Sequence, residues 1–121
     1  MTRRALITLC CFALIPFAGC KSYHVDATVE NRTGAAIELL EVDYPSASFG
    51  ADNLAAGADL HYRFQIRLNG PIKVQYTESA THLPRQITGP DVFEKQEGRL
   101  EIVLLPGGKA EFHPALTPQP R

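Results

Sequence analysis

Leu100-Glu101-Ile102-Val103-Leu104-Leu105-Pro106-Gly107-Gly108-Lys109-Ala110-Glu111-Phe112 is the stretch on which the fold turns. Leu100, Ile102 and Leu104 recur at every second position, the period of a half-buried strand. Pro106 fixes φ at the first turn position, and the glycines supply the left-handed residue that closes a three-residue loop. Residues directly paired in a hairpin must share a face. A loop at Pro106-Gly107-Gly108 pairs Leu104 with Ala110 and Ile102 with Phe112, so core meets core. Val103 and Leu105 are apolar on the opposite face. The strand is therefore either central and covered on both sides, or it carries an exposed apolar patch for a partner.

The same test passes twice more upstream. A loop at Arg32-Thr33-Gly34 would pair Val29 with Ile37 and Ala27 with Leu39. A loop at Leu68-Asn69-Gly70 would pair Ile66 with Ile72, Phe64 with Val74 and Tyr62 with Tyr76. Three glycine-closed hairpins are thus expected. Between Ala36 and Tyr44 the apolar phase slips by one at Leu39-Leu40, the mark of a β-bulge. Thr81 to Thr88 reads as an edge strand, because Pro84 cannot donate to a ladder. Ser46 to Ala58 and Ala80 to Gly98 must hold one or two further strands, and Asp91 to Glu97 has room for one helical turn.

About seven short strands with turns at intervals of 8 to 12 residues predict an all-β fold. A small antiparallel β-sandwich over residues 23–114 is the first expectation and a small β-barrel the alternative. The prolines at Pro114, Pro118 and Pro120 predict a flexible tail over 115–121. At 121 residues, with 45% hydrophobic and 21% charged, the chain has room for one globular domain.

The front of the chain differs from the rest. Arg3 and Arg4 precede an apolar run from Ala5 to Phe17, too short to span a bilayer and of the length of a signal-peptide core. The three cysteines, Cys10, Cys11 and Cys20, all lie here, so none remains to staple the domain. Without Arg3 and Arg4, ten basic residues face thirteen acidic ones, a balance near −3 that argues against nucleic acid.

Phe17-Ala18-Gly19-Cys20 resembles the lipobox of bacterial lipoproteins. Val42-Asp43-Tyr44-Pro45-Ser46 and Leu54-Ala55-Ala56-Gly57 also resemble segments of such proteins, and the alternating pattern resembles immunoglobulin-like sandwich domains. The lipobox resemblance implies a helical signal peptide over 1–19, diacylglycerol and further acyl chains (palmitate) on Cys20, and a tether of only Lys21-Ser22 over 20–22. Two or more acyl chains give stable anchoring. It implies a place in the cell envelope, lipid-anchored and facing the periplasm. Lys21, in place of an Asp, favours the outer membrane over the inner.

Chemistry is sparse in the mature part. His24, His61, His82 and His113 are dispersed with no ligand partner at i+2 or i+4, so no metal site and no cofactor is expected. Hydrolase motifs and phosphate-cradling glycine loops are not found. Glu41 with Asp43, and Glu94 with Glu97, read as solvated pairs. Asn31-Arg32-Thr33 is a glycosylation sequon but reads as turn chemistry. The expected register gathers His61, Arg63, Arg67 and Lys73 on one basic outer face, suited to anionic lipid headgroups, an anionic glycan or an acidic envelope protein. The function expected is non-enzymatic, that of a membrane-anchored binding or structural module. A periplasmic inhibitor or small-ligand carrier is the alternative, and its inhibitory loops would be Ser46 to Asn53 or Gly89 to Glu97.

Overall fold

Eight strands follow one another with no helix between them: β1 Val25–Asn31, β2 Ile37–Tyr44, β3 Ala47–Leu54, β4 Asp59–Phe64, β5 Gly70–Glu78, β6 Pro84–Val92, β7 Glu97–Leu105 and β8 Lys109–Thr117. They belong to a computed structural model that describes residues 23–119. The expected signal peptide, lipidation site Cys20 and Lys21-Ser22 tether lie outside the described residues. The strands form two four-stranded sheets, β4-β1-β7-β8 and β3-β2-β5-β6. Every pairing is antiparallel except β1 with β7. No ladder joins the two sheets, so the fold is a small β-sandwich and not the barrel held as the alternative.

The core follows from the alternation. Val25, Ala27 and Val29 of β1, Ile72, Val74 and Tyr76 of β5, and Leu100, Ile102 and Leu104 of β7 all turn inward and are buried. The bulge sits where the phase slips. Leu39 takes φ 53, and the β2–β5 register shifts between Glu38 and Glu41. That one extra residue returns Leu40 and Val42 to the core and leaves Leu39 65% exposed.

The hairpin at Pro106-Gly107-Gly108 has the expected register, with Leu104 opposite Ala110 and Ile102 opposite Phe112. The other two expected hairpins are corrected. Arg32-Thr33-Gly34 and Leu68-Asn69-Gly70 each carry the chain from one sheet to the other, since β1 and β4 lie in the first sheet and β2 and β5 in the second. A face-matching test asks only whether inward residues align, and strands facing each other across a sandwich pass it as readily as neighbours do. The glycines are still required: Gly34 has φ 91 and Gly70 φ 155.

Three smaller expectations change. The strands number eight rather than seven, because β3 fills the segment after Pro45-Ser46. Asp91 to Glu97 forms no helical turn, because β6 runs to Val92 and β7 starts at Glu97, with Lys95 left-handed at φ 68 between them. The tail does not begin at 115: β8 runs to Thr117, Leu116 is buried opposite Gly98, and Gln96 Nε2 donates to the Pro118 carbonyl at 2.9 Å. Pro114 is tolerated because β8 is an edge strand. So is Pro84, at the start of edge strand β6. β7 is central in its sheet, and Val103 and Leu105 on its outer side are half-buried.

Candidate functional site

The four residues of the expected basic face do not share one face. His61 and Arg63 lie on β4 in the first sheet, Arg67 follows that strand, and Lys73 lies on β5 in the second sheet. The misplacement of Lys73 follows directly from the hairpin that turned out to be a crossover. Lys73 stands beside Asp43 and Thr88 on the far side of the molecule. Arg63 is 3.7 Å from Asp26, and His61 Nδ1 is 3.1 Å from the Thr28 hydroxyl. Cross-strand rows on the outer side of the first sheet run Arg63–Asp26–Arg99, His61–Thr28–Glu101–His113 and Asp59–Glu30–Val103–Glu111. Arg32 bridges Glu30 at 2.8 Å and Asp59 at 3.7 Å on the same side, and Lys109 stands opposite Leu105, so that face carries both signs and is not a basic patch.

Arg63 and Arg67 come together instead at one end of the sandwich. They rim a half-open pocket of about 300 Å³ whose walls include His24, Tyr44, Tyr62 and Phe64. The walls are stacked aromatics: Tyr44 on Phe64 with centroids 4.2 Å apart, and Phe49 on Tyr62 at 4.6 Å. These rings close the side of the sandwich where β3 and β4 run past each other without a ladder. Alternation explains Phe64 as a core residue, whereas Tyr62 remains 44% exposed.

Polar groups line the mouth. Arg67 Nη2 donates to Gln65 Oε1 at 2.8 Å, and the Gln65 amide nitrogen lies 3.3 Å from His24 Nε2. With that amide donating, His24 Nε2 accepts and Nδ1 holds the proton, buried and without a partner among the described residues. Burial and the neighbouring Tyr62 push the Tyr44 phenol above its ordinary value of 10.0, and the Arg67 charge pulls the other way. Two guanidinium groups offer donors only and two phenols offer both roles, a set that matches oxygen-rich anionic groups.

The outer side of the second sheet carries a groove of about 480 Å³, lined by Leu39, Glu41, Gln75 and Gln86 among others. Asp43, one position along, is pushed above 3.8 by burial and by its hydrogen bond and charge contact with Glu41. Among the described residues, no three His, Cys, Asp or Glu side chains converge to hold a metal ion.

The sequon has a structural use. Asn31 is fully buried, and its amide donates to the Ala35, Leu54 and Ala55 carbonyls at 2.8, 3.1 and 3.1 Å. A glycan on that nitrogen would have no room.

No protein-family model matches the chain, and no curated protein matches its sequence. Among solved structures it is similar to the NMR structure of a protein from Eubacterium rectale. The TM-score is 0.54 at 11% identity, over 76% of this chain and 88% of that one. Identity at that level shows a shared fold and nothing about activity.

Proposed function

We propose that the chain is a lipid-anchored module of the bacterial envelope that binds a partner rather than catalysing a reaction. The observation that carries this reading is the position of Cys20. It follows Ala18-Gly19 and an apolar leader, and it lies five positions before Val25, where β1 begins. Acyl chains on that thiol would hold a folded domain at a membrane surface, facing the periplasm, with Lys21 favouring the outer membrane.

Binding fits the surfaces better than strand addition does. Edge strands β6 and β8 carry Pro84, Pro90 and Pro114, which remove ladder donors where a partner strand would pair. The pocket rimmed by Arg63 and Arg67 is a concave feature that joins aromatic walls to two cationic groups. Of the loops expected for an inhibitor, Ala47 to Asn53 belongs to β3 and Gly89 to Val92 to β6, which leaves the connection over 93–96.

The test is Cys20→Ser in a bacterial host. Loss of fatty-acid labelling and release of the protein from membranes support the anchor. Unchanged labelling and fractionation would overturn it.

A further inference from the structure

We infer that the domain does not swing freely on its tether but rests on the membrane through its pocket end, with Tyr62, Arg63, Arg67 and Leu68 against anionic phospholipid headgroups. The inference rests on the lipid anchor proposed above and names what the pocket end meets.

The topology puts these residues at the end where the chain enters the fold. Val25, the first residue of β1, pairs with Phe64 at the end of β4 and with Gly98 at the start of β7. The His24 carbonyl accepts from Gly98 N at 3.1 Å, and Asn69 Oδ1 accepts from Glu94 N at 2.9 Å. The chain therefore enters the fold at the end that holds the connection from Gln65 to Asn69. Cys20 lies three positions before Tyr23, at most about 10 Å when extended. The headgroup layer of one leaflet is itself roughly 5–7 Å thick. A domain held that closely cannot keep this end clear of the headgroups.

The chemistry of the end suits that position. Leu68 is 56% exposed and Tyr62 44%, two of the four large hydrophobics left exposed among the described residues. Tyrosine is favoured where one side is apolar and the other wet. Among the described residues Arg67 bonds a neutral amide and has no carboxylate partner, and Arg63 meets the exposed Asp26 at 3.7 Å. Glu94 and Lys95 of the adjoining turn offset each other. The opposite end offers Leu83, 43% exposed, in the β5–β6 turn next to His82 and Glu38.

The chain contains no Trp, so one introduced indole reports alone. Lipidated Leu68→Trp and Leu83→Trp proteins would be reconstituted in vesicles of phosphatidylglycerol and phosphatidylcholine, or of phosphatidylcholine only, with brominated acyl chains as quenchers. The expected result is a blue-shifted, quenched indole at position 68 on anionic vesicles and a solvent-exposed one at position 83. Changing both Arg63 and Arg67 to Gln should lower the docked-to-undocked ratio by about 25-fold, about five-fold for each charge near an anionic surface. Protein that floats with the vesicles but shows equal exposure at 68 and 83, or quenching indifferent to lipid charge, overturns the docking and leaves the anchor standing. Protein that carries no acyl chain and fails to float overturns the anchor itself.

Discussion

Asn31 closes a gap that the backbone leaves open. Its Oδ1 accepts from Thr33 N at 3.1 Å and from Thr33 Oγ1 at 2.7 Å, while its amide serves three carbonyls from two separate connections. One buried side chain thus fixes both the β1–β2 and the β3–β4 crossovers. Removing it strands buried carbonyls at a cost of about 1–3 kcal/mol each in the worst case. Asn31→Ala should lower stability by roughly 2–4 kcal/mol, read from the urea midpoint. Glu78 shows the opposite exposure. Its hydrogen bond with Arg85, 2.7 Å long, holds its carboxyl below the ordinary 4.5, with Thr81 adding to the effect. A lowered folded-state value means that the pair stabilises above the unfolded carboxylate range and ceases to do so as the pH falls through it. Glu78→Gln should therefore be less stable than the parent at neutral pH, and the two should converge in acid, once the pH falls below the lowered folded-state value. Parallel urea curves at both pH values, with an unchanged gap, would contradict that assignment. Arg85 also meets the β7–β8 turn, where a Cβ on Gly108 would touch it, so the pair helps tie one sheet to the other.

At the scale of single strands, the alternation was readable because each strand buries one face and wets the other. The bulge at Leu39-Leu40, the edge position around Pro84 and the register across Pro106-Gly107-Gly108 all follow from local pattern. Two hairpins did not, and the basic face failed with them, because the crossover at Gly70 carries Lys73 into the second sheet, away from Arg63. Period two reports which side of a strand is greasy and is silent about its neighbour. The pocket was half legible: Arg63 and Arg67 stand out by their charge, whereas the alternation gives Tyr44 and His24 no part in a pocket. The bulge makes a sharp prediction. Leu39 is left-handed and exposed whereas Leu40 is 3% exposed, so adjacent leucines should respond in opposite ways. Leu40→Ala should cost about 2–4 kcal/mol through the cavity it leaves. Leu39→Gly exchanges a strained backbone of roughly 1–2 kcal/mol for added chain entropy of somewhat less, and should change stability by under about 1 kcal/mol. Thermal melts of both variants check the register directly. A costly Leu39 change would mean that the extra residue sits elsewhere.

For the molecule as a whole, the decisive contact is one that no local pattern announces. β1 lies at the centre of its sheet because it pairs in parallel with β7, Val25 against Gly98 and Asn31 against Leu104. The centre of that sheet closes only when the seventh of eight strands is in place, so folding should be slow and all-or-none, as for other sandwiches of non-local pairing. Nothing in this scheme calls on sulfur, since Cys10, Cys11 and Cys20 all precede the described residues. Packing of the two sheets carries the stability, and the proposed acyl group carries the address. The two are then separable by one substitution. Cys20→Ser should leave the melting temperature of the domain and the sharpness of its transition unchanged, with or without reductant, while it frees the protein from membranes. A domain whose melting shifts by several degrees, equivalent to about 1 kcal/mol for its size, would show that the N-terminal segment packs on the sandwich. The pocket end would then be covered by chain rather than by lipid, and its rings and guanidinium groups would serve folding instead of docking.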